Sequence, residues 1–578
     1  MSDFSVTIEK RLKTMGVIVV VITGVIIWRM FDIQITKHGH YIALAQGQQR
    51  FEQTKIAQRG KVYAHDSNVN LNQYFPLAFD VKTFSIWVVP KQIKDKEKVS
   101  LELGGLLQID SNEIFQKINN DKLYIPPIRK GLGFDKASEI KDKKISGVFV
   151  MPEYGRYYPE STLASHVLGF VNGEGDGKYG FEGYYNEELK GTAGNIKGEK
   201  DTLGRMINLL EQKDPKDGTS YVLTIDRSVQ YFVEKKLAES VEKYKADSGT
   251  VVIMDVKTGG ILAMAGSPSF DPNYFRQVAG ENPGAFINPA IAHLYEPGSI
   301  MKTLTMAAAI NEGLVTSDTK ETFDWHTFVD GYEIKTAELK AFGEETMTQV
   351  LENSDNVAMV WVGDKLGNDN LYRYFEKFNL FNKTGIDLDT EQAGYTQELK
   401  NWRDINRANI SFGQGIMVSP IEIVCAYAAI ANGGKYIYPH IVDKMIFEDG
   451  TEKTIERQEG EQILKSETAK SIRDMLYSVV ENGHSKKAKV KGFKIGAKTG
   501  TAQIVKDGVY EQSEDGLGIY NHSLIGIAPV DEPRYVMLVK LERPKTDKYA
   551  ESTAAPIFGE ISSFLLNNYY RLAPTEDK

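Results

Sequence analysis

Residues 15–31, MGVIVVVITGVIIWRMF, form an apolar run about long enough to cross a bilayer if Arg29 snorkels to the interface and Trp28 sits at headgroup level. No other feature restricts the chain as much, because whatever follows such a segment folds on one side of a membrane. Lys10, Arg11 and Lys13 precede the run. By the positive-inside rule they hold the N-terminus in the cytoplasm and send the rest of the chain to the outer side. A cleaved signal peptide is the competing reading, but the Ala-Leu-Ala at 43–45 that resembles a cleavage site lies well past the run rather than directly after it. A buried core helix is disfavoured, since no long amphipathic helices follow nearby to cover it. The expectation is a cytoplasmic tail over residues 1–14 and an uncleaved transmembrane anchor over residues 15–33.

The remainder is large enough for more than one packed domain. The chain has 578 residues, of which 42% are hydrophobic and 25% charged, a balance that folds. Its formal net charge of -9 gives no electrostatic reason to expect nucleic-acid binding. With Cys425 as its single cysteine it forms no intrachain disulfide, and Cys/His zinc spacings are absent. From residue 34 to 216 short β-rich runs (FSIWVVP, GVFVMP) alternate with charged, turn-rich stretches, which reads as an extended β-rich pedestal. A denser pattern begins with the strand-like SYVLTID and a helix over 227–244. Asp226 is placed to cap that helix, and Val229, Phe232, Val233, Leu237, Val241 and Tyr244 form its apolar stripe.

Three Lys-Thr-Gly triplets then compete for a chemical role. The one at 257–259 sits between two β-branched runs, where a hairpin needs polar and conformationally permissive residues. The one at 383–385 follows a helical pattern and reads as its terminating loop. Around Lys498, however, Gly496, Ala497, Gly500 and Ala502 surround a cation and two hydroxyls, Thr499 and Thr501, in a strand-like segment. That combination suits a peptide carboxylate.

Partners for such a site can be sought by spacing. A helix that carries Ser at i and Lys at i+3 puts a hydroxyl and a base on one face. Four Ser-x-x-Lys matches occur, at Ser138, Ser240, Ser299 and Ser317. The first, second and fourth lie in polar stretches and read as solvated surface. Ser299 stands after a Pro-Gly break and before the apolar helix pattern IMKTLTMAAAIN, with Gly313 to end it, so its hydroxyl lies near free backbone N–H groups. The Ser-x-Asn at Ser354-Asp355-Asn356 completes the set.

In chain order, Ser299-x-x-Lys302, Ser354-Asp355-Asn356 and Lys498-Thr499-Gly500-Thr501 resemble the three motifs of the penicilloyl-serine transferases. LTIDRSVQ, MDVKTGGILAMAGSPSFDPN, SFGQGIMVSPIEIVCAYAAIANGG and STAAPIFGEI resemble the transpeptidase domain of class B penicillin-binding proteins. Upstream, QRGKVYAHD and RYYPESTLASHVLGFVNGEGDGKYGFEGYYNEELKG are similar to their N-terminal pedestal, although RGKVYAHDSNVNL lacks the usual Asp-Arg-x-Gly turn. Nothing before Ser220 resembles the glutamate motifs of a glycosyltransferase, and little room follows Lys498 for wall-binding repeats.

The resemblance implies an α+β fold: a five-stranded antiparallel sheet packed between helices over 217–578, standing on the pedestal of 34–216. It implies a peptidoglycan D,D-transpeptidase acting on stem peptides ending in D-Ala-D-Ala, acylated by β-lactams, with no metal or organic cofactor. Ser299 is then the nucleophile and Lys302 its base, with burial and the positive Lys498 lowering its pKa. Ser354 relays the leaving-group proton, and Asn356 holds the substrate amide and Lys302. Lys498, Thr499 and Thr501 bind the substrate carboxylate. Asp355 and Gly500 are assigned to substrate binding with their motifs, and the N–H groups of Ser299 and Thr501 to the oxyanion hole. The implied partners are the cytoplasmic membrane, a multi-spanning SEDS-type glycosyltransferase and other division proteins. A division role is favoured by GEKDTLGRMI at 198–207, similar to a pattern of septal transpeptidases. Two alternatives share the motifs: a membrane-anchored β-lactam sensor or β-lactamase, and a catalytically silent scaffold. A hydrolase of the class A type needs a water-directing glutamate, and Glu398 in ELKN reads as a chance match and a solvated loop residue.

Overall fold

The computed structural model describes residues 2–42, 50–67, 73–200, 206–506 and 509–574. The Ala-Leu-Ala at 43–45 and positions 201–205 of the 198–207 segment lie outside the described residues. The chain divides into two compact units, residues 1–58 with 191–217, and residues 59–190 with 218–578.

In the first unit the apolar run lies within the helix Ser2–Phe31. The stretch Ile8–Thr36 is long and apolar enough to cross a membrane, with a mean hydropathy of 2.1. Side chains over 8–31 are exposed, and from Met15 to Trp28 they carry no charge on any side, which suits lipid. The rest of this unit is an antiparallel sheet in which Gly194–Lys200 lies between Arg50–Lys55 and Met206–Lys213.

The second unit contains the five-stranded antiparallel sheet. Its strands run in the order Ile261–Ser267, Ser248–Asp255, Tyr535–Glu542, Tyr520–Ala528 and Gly496–Gln503. Strand alternation sorts its side chains between two cores. Val252, Met254, Ile525, Val536 and Leu538 face a large cluster with the helix Met301–Asn311, while Val251, Ile253, Leu524, Met537 and Val539 face the helices Arg227–Tyr244 and Ala554–Phe564. With apolar side chains on both faces, the sheet needs helices on both.

The helix over 227–244 starts where its cap predicts, with the Asp226 carboxylate accepting from Val229 N at 3.0 Å. Val229, Val233, Leu237 and Tyr244 are buried, while Phe232 and Val241 pack at the edge of the same core. Lys257-Thr258-Gly259 turns the hairpin between the first two strands, with Gly259 at φ +80°. Thr384 is buried, and its hydroxyl donates to the Glu391 carboxylate.

A second sheet of seven strands is more surprising. Ser220–Asp226 pairs in parallel with Val62–His65 and antiparallel with Val442–Ile446. The sheet continues through Phe75–Val88 to Arg129–Leu132 and Val148–Tyr157. It therefore draws strands from both sides of the expected boundary at 216/217. Residues 59–190 fall in one compact unit with 218–578, and Val62, Ala64, Leu77 and Tyr158 share one core with Tyr221, Leu223 and Met301. A buried ion network reinforces this region: Arg59 Nε and Arg156 Nε each donate to Glu182 at 2.7 Å.

Candidate active site

The serine turn is built by close backbone approach. Gly298 takes φ +58° and donates from its N–H to Gly413 O at 3.0 Å, so Ser299 enters a short turn, Gly298–Ile300, that runs into the helix Met301–Asn311. Tyr427 OH donates to Ile300 O at 2.7 Å, and Thr305 Oγ1 to Ser411 O at 2.9 Å, fixing the turn from behind. Every side chain from Met301 to Ala309 is buried, Lys302 completely.

The Ser-x-Asn segment is the joint between two helices. Thr346 and Gln349 form a capping box on Met347–Asn353, which ends with Ser354 in the left-handed region at φ 54°. Asp355 then caps Asn356–Lys377, its Oδ1 accepting from Ala358 N at 3.0 Å. The edge strand Gly496–Gln503 supplies the third wall.

The three motifs meet at one hydroxyl. Lys498 Nζ donates to Ser354 Oγ at 2.9 Å, and Lys302 Nζ lies 3.2 Å from the same oxygen. Lys302 Nζ also reaches Ser354 O at 2.6 Å and Asn356 Oδ1 at 2.7 Å. Burial, and then the charge of Lys498, push the Lys302 pKa well below its usual value. Burial brings Lys498 down to about 7. A neutral Lys302 donates to the two carbonyl oxygens and receives the Ser354 hydroxyl proton, while Ser354 Oγ accepts from Lys498. Two amines joined through one hydroxyl form a path along which a proton can be passed.

Ser299, Ser354, Asn356, Thr499 and Thr501 line a cavity of about 660 Å³. Thr501 Oγ1 accepts from Ala550 N at 3.2 Å, tying the strand to the segment beyond it. Among the described residues no side-chain hydrogen bond joins Ser299 Oγ to Lys302. The two N–H donors and the lone pair of the amine are all engaged on the Ser354 joint, and it takes a proton from Ser299 only by releasing the Ser354 hydroxyl.

Several expectations need correction. Asp355 is fully buried and does not line the cavity, because its carboxylate is committed to a helix N-terminus. Gly500 does not line it either. A Cβ there would stand 2.6 Å from Ser523 Oγ and 2.9 Å from Pro297 O, so the glycine lets the edge strand pack on the serine turn instead of opening backbone to a ligand. Ser240, read as solvated, is buried with its hydroxyl on Lys236 O at 2.6 Å, while Ser138 and Ser317 are half-buried. Glu398 is exposed, paired with Lys400 at 2.5 Å and off the cavity wall, as read. Sequence reasoning missed Glu345, which is 2% exposed and bonded to the cavity-lining Asn353 at 2.8 Å.

Comparison with known proteins places these features in a family. Residues 249–563 match the penicillin binding protein transpeptidase domain, and residues 54–223 match the penicillin-binding protein dimerisation domain. Stage V sporulation protein D of Bacillus subtilis (strain 168) is 33% identical over 578 residues, spanning 96% of this chain and 85% of that protein. Peptidoglycan D,D-transpeptidase FtsI of Escherichia coli (strain K12) is 31% identical over 501 residues, spanning 85% of this chain and 81% of its own. Among solved structures, a peptidoglycan synthetase from Bifidobacterium adolescentis matches with a TM-score of 0.72 at 27% identity, covering 92% of this chain and 98% of that one. Penicillin binding protein 3 from Mycobacterium tuberculosis, complexed with ampicillin, has a TM-score of 0.70 at 24% identity over 91% of this chain and 98% of its own, a likeness of fold alone.

Proposed function

The chain belongs to the class B penicillin-binding proteins, of the division type, and from that premise we propose that it is a peptidoglycan D,D-transpeptidase working through an acyl-Ser299 intermediate. The observation that carries this reading is the Ser354 hydroxyl shared by two buried lysines beside a cavity that Ser299 lines.

Ser299 Oγ attacks the carbonyl carbon of the penultimate D-Ala of a stem peptide, and its proton passes to neutral Lys302. The peptide C–N bond breaks, and the terminal D-Ala nitrogen takes a proton delivered through Ser354. The amine of a second stem peptide then attacks the ester and restores the Ser299 hydroxyl, leaving a cross-link. Asn356 orients Lys302 and the substrate amide. Lys498, in its protonated form, binds the substrate carboxylate together with Thr499 and Thr501. The N–H groups of Ser299 and Thr501 stabilise the oxyanion. The apolar helix anchors the chain in the cytoplasmic membrane with the catalytic part outside, and a SEDS-type glycosyltransferase supplies the glycan strands.

The test is labelling of the full-length protein with a fluorescent penicillin. Ser299→Ala is expected to abolish covalent labelling and keep the fold, and retained labelling would reject Ser299 as nucleophile. After free drug is removed, intact mass is expected to show the adduct persisting for many turnovers of a hydrolase, since Glu398 is placed off the cavity and aims no water at the ester. Loss of the adduct within seconds, slowed by Glu398→Ala, would favour the hydrolase.

A further inference from the structure

We infer that Glu345 is a positioning residue for the proposed acylation: its carboxyl group, held protonated, donates a hydrogen bond to Asp355 and so pins the joint that presents Ser354 and Asn356 to Lys302. The inference rests on the transpeptidase reading for its kinetic consequences and on side-chain geometry for the pair itself.

Glu345 lies on the strand Gly343–Thr346, directly before the Thr346 cap of the helix that ends at Ser354. Its Oε1 accepts from Asn353 Nδ2 at 2.8 Å. Its Oε2 is buried without a donor among the described residues, and so is Asp355 Oδ2, the other oxygen of that carboxylate being used by Ala358 N. The Asp355 carboxylate stands close enough to Glu345 to act on it by charge and through a shared proton. Two carboxylates repel, whereas one acid and one carboxylate make a strong charge-assisted hydrogen bond that satisfies both orphaned oxygens. The proton is assigned to Glu345, because the Asp355 side chain caps the N-terminus of Asn356–Lys377, where the helix dipole favours negative charge.

The surroundings keep it there. Burial, then the charge of Asp355, raise the Glu345 pKa from 4.5 to about 7. The charge of Glu352, on the helix Met347–Asn353, acts on it in the same direction, and Glu345 in turn acts on Lys302, on the serine helix. Glu321 is its register partner on the strand Lys320–Phe323 and is exposed. While Glu345 is neutral, Lys302 feels one carboxylate, Asp355. Once Glu345 ionises, a second negative charge stands by and favours the ammonium form of Lys302, which is useless as a base. The pair therefore acts twice, holding the left-handed Ser354 turn and keeping Lys302 able to accept a proton.

The experiment compares full-length wild type, Glu345→Gln and Glu345→Leu in detergent, separating the non-covalent affinity for a fluorescent penicillin from its acylation rate between pH 5.5 and 8.5. Gln keeps Asn353 and Asp355 satisfied at every pH, its Oε1 accepting and its Nε2 donating. At pH 6 the Gln variant is expected to match wild type, while the Leu variant acylates about tenfold more slowly at unchanged affinity, the size of one lost charge-assisted hydrogen bond. Above about pH 7 wild type loses its donor and Gln does not, so the Gln to wild-type rate ratio is expected to rise with pH. A ratio flat across the range, or a Leu variant as fast as wild type, overturns the inference. Should the Leu variant not fold, the Gln ratio decides. Independently of any drug, wild type at pH 6 is expected to show a protonated-carboxyl stretch in the infrared that Glu345→Gln lacks. Absence of that band from wild type overturns the pair whether or not Ser299 is the nucleophile. Labelling that survives Ser299→Ala would instead sink the transpeptidase reading and leave the infrared result standing.

Discussion

Lys498 ties catalysis to stability through one buried amine. Its pKa falls from 10.5 to about 7 on burial, so between those values the unfolded chain binds a proton that the folded chain does not. Stability from this group is present above the unfolded pKa and is lost as pH falls through about 7. Relative to Lys498→Met, wild type is therefore expected to gain stability from pH 7 toward pH 10, by at most about 1.4 kcal/mol per pH unit. Denaturation midpoints of both proteins across that range check this, and parallel curves would show that the lysine is not buried neutral. The residues that meet at Ser354 were legible because motif spacing encodes them. Ser299 and Lys302 are one helical turn apart, and a lone Ser-x-Asn supplies the hydroxyl that both lysines share. Asp355 was misread because a motif's middle residue reveals its direction only once the helix it caps is known. Glu345 carried no signal at all, since a glutamate in GEETMT reads as solvated until a fold covers it.

Among the secondary-structure elements, the serine turn and the loop at 412–415 are held together by two glycines. Gly413 has φ +89°, and a Cβ on it would stand 2.1 Å from Gly298 O. Gly413→Ala combines a left-handed penalty with an overpacked contact and is expected to cost about 2–5 kcal/mol. It should also slow acylation by displacing Ser299. Gly313 ends the same helix at φ +73° with nothing nearby, so Gly313→Ala should lose only about 1–2 kcal/mol and leave acylation alone. Equal effects of the two on penicillin labelling would refute the contact argument. Elements with local signals were readable, such as the capped helix Arg227–Tyr244 and the hairpin at Lys257-Thr258-Gly259. The seven-stranded sheet was not, because pairing Ser220–Asp226 with Val62–His65 and with Val442–Ile446 leaves no short-range trace in any of the three segments.

For the whole molecule, the question is what the anchor does beyond holding the chain at a membrane. Its helix carries no charge on any side from Met15 to Trp28 and exposes all of residues 8–31. A plain anchor needs only length and hydropathy. Gly16 and Gly24 lie about two helical turns apart, small residues of the kind that let two membrane helices approach closely. That pattern fits a helix that packs against a partner's spans in lipid, where shape and not the hydrophobic effect supplies the selectivity. Replacing residues 15–31 with an unrelated leucine-rich spanning helix is therefore expected to preserve membrane attachment and the rate of penicillin labelling, because the second unit carries all the site residues. It should weaken co-purification with the SEDS-type glycosyltransferase. If only these two glycines matter, Gly16→Leu with Gly24→Leu reproduces most of that loss in the native helix. Undiminished co-purification of both variants would show that association does not run through the membrane helix.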